Sequence, residues 1–325
     1  MSLRDVSEAV GYPEGLNNSN ILSNVLSTLG KRRQMLQDCT FAGPDGDFHY
    51  IDWGGAGPLM HIAHATGFCA RVYTPLVERL RPHLRVLGMD DRGHGKTRAP
   101  ADPRKLRNWD IFVEDLERFF EHLGGPLIAM GHSRGGVASL LLAIRRPDLV
   151  RALILLDPTI LPFSWMWLWF LAKETGLARR VPIVAQAARR KSLWPDRKTM
   201  LASYREKAPF RAWKDGFLEG YLVDGTEGTG DGMVRLSCKP AWESRCFAVC
   251  PHDVWRHIPR LQQPTLVLYG AESDTFLASA AKRFRAKVPS AAFRCLEETG
   301  HFVPMERPDE STEAILNFLA DQKII

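Results

Sequence analysis

Apolar positions along the chain fall into two alternating patterns. Short, near-continuous apolar runs recur in "PLMHIAHAT", "RVLGMDD", "PLIAMGHS", "RALILLDP", "PTLVLYGAESD" and "AAFRCLEETGH", and each stops at polar residues. Amphipathic stretches lie between most of them. In "RNWDIFVEDLERFFEHLGG", Trp109, Phe112, Val113, Leu116, Phe119, Phe120 and Leu123 share one helical face ahead of a Gly-Gly stop. Strands apolar on both faces, alternating with helices, predict an α/β fold with a parallel sheet covered on both sides. Functional residues in such sheets collect beyond the carboxyl ends of the strands. Before the first run, "FAGPDGDFHYIDWGGAGP" reads as a hairpin pair with turns at Pro44-Asp45-Gly46 and Gly54-Gly55.

Two regions depart from the alternation. Residues 1–38 form a polar lead-in, with helical spacing of Ile21, Val25, Leu29 and Leu36. From 161 to 255 the strand signal disappears. A Trp- and Phe-rich segment, "LPFSWMWLWFLAKETG", is followed by the basic "ARRVPIVAQAARRKSLWPDRK" and a glycine-rich "DGTEGTGDGMV" that reads as a surface loop. The expected organisation is a core of 39–160 and 256–325 interrupted by a mostly helical cap at 161–255. The cap's apolar underside is expected to face the strand ends.

Composition narrows the function classes. The 325 residues are 45% apolar and 25% charged, with a net charge of +6. That is ordinary for a globular protein with a sizeable core, and no lysine-arginine run is dense enough for nucleic-acid binding. No run reaches the ~18 apolar residues that a bilayer span needs. Trp165, Trp167 and Trp169 alternate, so they do not share one helical face, and no stable membrane insertion is expected. The first residues lack the apolar core of a signal peptide, and the six cysteines are expected as thiols in a cytoplasmic chain. No Cys/His set has zinc spacing, so neither metal nor cofactor is expected.

The chemistry centres on "LIAMGHSRGGVASLLLA", where a strand turns abruptly into a helix on Ser133. Such a turn strains its central residue, and side chains at Gly131 and Gly135 would collide with the adjacent strand and helix. The strain holds the Ser133 hydroxyl clear of the sheet, while the first helical N–H groups, beginning at Arg134, point at whatever binds there. A serine hydroxyl needs a base, and the base a carboxylate. His301, in the loop "EETGHFVPMERPDE", is the candidate base. The strand before it ends in "LVLYGAESDTF" and offers Glu272 and Asp274; Asp274 is the preferred acid. Asp157, at the end of "ALILLDP", is its main rival and Glu272 the lesser one.

Four ordered motifs, "HATGF", "DDRGHGKT", "GHSRGG" and the pair "GAESD" and "TGHFVPMERP", resemble the α/β-hydrolase superfamily over roughly residues 40–160 and 255–322. The resemblance implies an eight-stranded, mostly parallel sheet flanked by helices, with a helical cap inserted after strand 6. It implies Ser133 as nucleophile, Asp274 as orienting acid and His301 as base. Asp90, Arg92, Gly93 and Gly95 match a structural loop of that family. Two oxyanion N–H donors are needed. Arg134 supplies the first; alignment on Gly67 makes Phe68 the second, whereas alignment on His64 favours Thr66. Thr66, Cys69, Trp165 and Trp169 are candidate pocket residues.

The resulting expectation is a carboxylic ester hydrolase (EC 3.1) that cleaves an ester, thioester or lactone of a small, largely apolar substrate through an acyl-enzyme. The same triad also serves carbon–carbon hydrolysis, and relatives use the fold as a ligand-binding receptor. Epoxide hydrolase and haloalkane dehalogenase chemistry is disfavoured, because those members carry an elbow aspartate where this chain has serine.

Overall fold

The computed structural model describes residues 36–325, so the helical spacing read at 21–29 lies outside the described residues. Eleven strands occur among the described residues. The large sheet uses β1 (Gln37–Gly43), β2 (Gly46–Asp52), β3 (Leu59–Ala63), β4 (Arg85–Met89), β5 (Leu127–His132), β6 (Val150–Leu156), β10 (Thr265–Gly270) and β11 (Ala292–Leu296). Its order is β1-β2-β4-β3-β5-β6-β10-β11. The hairpin strands β1 and β2 pair antiparallel, as do β2 and β4, and every other pairing is parallel. Strand β1 starts at Gln37, two residues before the core's expected start at 39.

The central strands are buried on both faces, and their alternation sorts side chains between two core layers. Ile128, Met130, Ile154, Leu156, Leu266 and Leu268 enter one cluster. Ala129, Leu153, Leu155 and Val267 enter the other. The first layer is closed by α1 (Thr74–Leu80), and later in the chain by α11 (Val303–Glu306) and α12 (Pro308–Asp321). The second is closed by α2 (Asp110–Leu123), α3 (Arg134–Arg145) and α10 (Ala278–Lys287). Helix α2 ends where Gly124 adopts φ 75°, the left-handed stop implied by the Gly-Gly pair.

Between β6 and β10 the chain forms α4 (Met166–Glu174), α5 (Pro182–Ala188), β7 (Leu193–Trp194), α6 (Arg197–Arg205), α7 (Phe217–Asp224), β8 (Thr226–Gly228), β9 (Val234–Leu236), α8 (Pro240–Ala248) and α9 (Val254–His257). A boundary at 255 would cut α9. The glycine-rich segment is not a free surface loop: β8 and β9 pair across it, and β7 completes a three-stranded antiparallel sheet. All six cysteines lie among the described residues and none is paired. Burial pushes the Cys246 and Cys250 thiols up to about 12, which suits inert packing groups. No helix among the described residues is long and apolar enough to cross a membrane.

Candidate active site

Strand β5 delivers Ser133 into α3 with φ 57° and ψ −119°, a conformation costing about 1–3 kcal/mol for an L-residue. The two glycines are needed sterically. A Cβ on Gly131 would lie 2.3 Å from the Gly135 carbonyl oxygen, and one on Gly135 would lie 2.2 Å from that of Ala63. Ser133 Oγ stands 3.0 Å from His301 Nε2. His301 Nδ1 in turn lies 2.6 Å from Asp157 Oδ2, and that carboxylate is fully buried.

The acid at this position is therefore Asp157, at the end of β6, and not Asp274. Asp274 lies in the exposed turn after β10, where its Oδ1 accepts a hydrogen bond from the Thr275 hydroxyl at 3.0 Å. Glu272 is also exposed. The loop after β10 still serves the site through Ser273, whose hydroxyl donates to Asp157 Oδ2 at 2.6 Å, while the Gly270 N–H donates to Oδ1 at 3.2 Å. Strands β6 and β10 are neighbours, so either could present a carboxylate to His301. A signal favouring Asp157 existed: a carboxylate ending a fully apolar central strand must be buried, and buried charges need partners.

Donor and acceptor roles along this row are fixed by the carboxylate, which only accepts. His301 Nδ1–H donates to Asp157, so Nε2 accepts from the Ser133 hydroxyl. Ser133 Oγ also lies 2.9 Å from Thr159 Oγ1. With its own proton committed to His301, Ser133 is the acceptor there and Thr159 the donor. Sequence reasoning had no access to Thr159 or Ser273, because both act through contacts that only the folded sheet creates.

His132, next to the nucleophile, points away from it. Burial, with the nearby His301 ring adding to it, holds its pKa well below the usual histidine value, so the ring is neutral. Its Nε2–H donates to the His301 carbonyl at 3.0 Å, and Nδ1 accepts from the Tyr73 hydroxyl at 2.9 Å. Tyr73 oxygen accepts from the Ala65 N–H at 3.1 Å. A buried row of hydrogen bonds thus links the loop after β3 to the backbone of His301.

That loop carries both candidates for the second oxyanion donor, Phe68 and Thr66. The Phe68 N–H donates to the Ala65 carbonyl at 3.2 Å, and the Gly67 N–H donates to His94 Nε2 at 3.1 Å. The Thr66 N–H has no hydrogen-bond partner among the described residues. Its hydroxyl accepts from Arg134 Nε at 3.1 Å, tying the loop to the first residue of α3. The Phe68 amide is thus engaged within its own loop, while Thr66 meets Arg134 through its side chain. The Arg134 guanidinium is buried, paired with Asp91 at 2.6 Å and 4.1 Å from the Phe112 ring centroid.

The loop motif read as scaffold has that role. Asp90 accepts from the Ala70 and Lys96 N–H groups, and Arg92 forms a buried pair with Asp115. Beside the triad, Phe302 packs 5.2 Å from the His301 ring, 5.3 Å from Trp213 and 5.9 Å from Phe68. Trp213, Phe210 and Tyr221 come from the cap, so the cap's aromatic underside does reach the triad's surroundings. Trp165 and Trp169 are placed elsewhere. Trp165 is half exposed, and Trp169 donates to the Cys250 carbonyl at 2.8 Å. Cys69 is fully buried, its thiol directed to the Tyr221 carbonyl.

Glycine at 67 has a cap partner: a Cβ there would lie 2.4 Å from Glu243 Oε1. Glu243 pairs with Arg190 at 2.7 Å, and Arg190 also donates to the hydroxyls of Tyr204 and Tyr221. A second cluster joins Asp38, His49 and Asp224, the only such group of potential metal ligands among the described residues. Lys96 Nζ sits 2.9 Å from both carboxylates and Arg71 contacts both, so cations of the chain itself already neutralise it.

Comparison with known proteins extends this geometry. Residues 61–314 match the family profile described as "Alpha/beta hydrolase family". The chain is 32% identical over 270 residues to a 2-(acetamidomethylene)succinate hydrolase of Mesorhizobium japonicum, covering 82% of this chain and 89% of that protein. It is 25% identical over 285 residues to an sn-1-specific diacylglycerol lipase of Mus musculus, covering 84% of each. In structure it resembles an E-2-(acetamidomethylene)succinate hydrolase with a TM-score of 0.72 at 22% identity, covering 88% of this chain and all of the other.

Proposed function

Because the chain belongs to the alpha/beta hydrolase family, we propose that it cleaves an ester, thioester or lactone of a small, largely apolar substrate through an acyl-enzyme on Ser133. The carrying observation is the unbroken row Ser133–His301–Asp157, at 3.0 and 2.6 Å. His301 Nε2 takes the Ser133 proton as Oγ attacks the carbonyl carbon. Asp157 holds the ring in the correct tautomer and offsets the positive charge that forms. The carbonyl oxygen, now an anion, is met by the Arg134 and Thr66 N–H groups, each such donor contributing about 3–4 kcal/mol at the transition state. Collapse expels the alcohol or thiol, which leaves with the proton from His301. Water then attacks the acyl carbon with His301 again as base, and the acid departs with Ser133 restored.

The aromatic surround of Phe68, Trp213 and Phe302 supports an apolar acyl or alcohol group. The Mesorhizobium relative is named for a succinate, a dicarboxylate. In this chain the partly buried cation near the loop after β3, Arg190, is already engaged by Glu243 and two tyrosines, which favours the less charged substrate.

Intact mass after exposure to a small alkyl fluorophosphonate tests the reading. One adduct is expected on the wild type and none on Ser133→Ala, followed by turnover within an ester, thioester and lactone panel. A well-folded wild type that takes no adduct would overturn the acyl-enzyme and leave a ligand-binding role.

A further inference from the structure

The outer face of the cap carries a surface that the triad does not use. Helix α4 is apolar all round from Met166 to Ala172, ahead of Lys173 and Glu174 in its last turn, yet only half of that stretch is covered. Met166, Trp169 and Phe170 turn inward or to the flank, while Trp167 is 76% exposed, Leu168 70% and Leu171 54%. The turn leading into it adds Phe163 and Trp165, both about half exposed. A helix without a polar face is ordinarily buried, so this one lacks a partner on its outer side.

The charge around it is mostly positive, with Glu174 and Asp253 the acids beside it. Between residues 161 and 191, leaving aside Arg190 with its Glu243 partner, the chain holds Lys173, Arg179, Arg180, Arg189 and Lys191 against a single acid, Glu174. Arg179, Arg180 and Arg189 are exposed. Beside α4, a cleft of about 480 Å³ is lined by Met166, Trp167, Phe170, His252, Asp253 and Arg256. Its floor is apolar and its rim contributes a further exposed cation, Arg256.

We propose that this face of the cap docks on an anionic phospholipid surface. Trp167, Leu168 and Leu171 enter the headgroup–acyl boundary, and Arg179, Arg180 and Arg256 meet the phosphates. Charge complementarity selects this occupant over a second copy of the chain. A two-fold contact through the same patch would bring the arginine rims together, whereas an anionic leaflet attracts them. Chain connectivity puts the docked face near the site: Phe163 is four positions after Thr159, which lies on Ser133 Oγ, a reach of at most about 14 Å. The inference does not depend on which bond Ser133 cleaves.

Flotation of the full chain with vesicles tests it, using phosphatidylcholine alone and phosphatidylcholine with about 30% phosphatidylglycerol. The wild type is expected to float with the anionic vesicles, with a blue-shifted tryptophan emission, and to be released by salt. Combined Trp167→Ser, Leu168→Ser and Leu171→Ser should weaken partitioning by more than about tenfold without altering the circular dichroism spectrum. Arg179→Ala and Arg180→Ala should each weaken it about fivefold. A wild type that stays in the buffer with both vesicles would overturn the proposal, as would equal flotation of the triple-serine variant. A wild-type dimer by sedimentation velocity that the triple substitution dissolves would assign the patch to a second copy instead.

Discussion

Asp157 sits at φ 42°, a conformation that side chains other than glycine rarely adopt. Three donors hold it there: the Gly270 N–H, the Ser273 hydroxyl and His301 Nδ1. Replacing Asp157 with asparagine should lower kcat by about 10⁴-fold, because the amide no longer enforces the tautomer that leaves Nε2 free to accept. Asp274→Asn, in the exposed turn, should leave steady-state kinetics on the same ester within about twofold. Thr159 acts on the nucleophile itself. Thr159→Val should reduce kcat about tenfold with little change in KM, and Thr159→Ser should restore it, because the hydroxyl is the part that touches Ser133 Oγ. The sequence made the nucleophile and base readable, since glycine sterics and a loop histidine are local. The acid was ambiguous because two neighbouring strands each end in carboxylates, and one-dimensional spacing does not say which end turns inward.

Among the elements, the core strands were legible throughout, because a strand buried on both faces writes itself as an uninterrupted apolar run. The cap was legible only as an interruption. Arg190 reads as one more surface arginine in "AARRKS"; its partner Glu243 is 53 residues away, and only the meeting of α5's end with α8 buries the pair against Gly67. Glu243→Gln leaves that guanidinium buried without its counter-charge, which should cost about 3–5 kcal/mol. Urea unfolding at neutral pH would register the loss as a lower midpoint. Since Glu243 also presses on the loop that carries the Thr66 amide, the same variant should lose kcat more than KM rises.

At the scale of the whole molecule, the hairpin, the core and the cap meet at His49. Its Nδ1 lies 2.7 Å from Asp90 and its Nε2 2.7 Å from Asp38, so both nitrogens donate and the ring is charged. Burial opposes that charge, but hydrogen bonds and attraction from Asp90 and Asp38, with Asp224 nearby, raise its pKa above the usual value. Lys96 and Arg71 complete the group facing it. A raised folded pKa gives stability that is fully present below the unfolded value, near 6.5, and is lost as pH climbs through the folded one. Urea midpoints across about pH 5.5–9.5 should therefore separate wild type from His49→Gln most at the acid end and converge toward the alkaline end.

The cap is fastened down at widely separated points. Trp242 donates to the Arg92 carbonyl, Trp109 to that of Cys246 and Arg245 to that of Leu106. Raising it as one body would break these bonds together, at about 1 kcal/mol net apiece, with the apolar contacts beneath them added. The cap is thus riveted to the core, and it comes off in one cooperative step or stays seated, with the Phe68, Trp213 and Phe302 rings packed together beneath it.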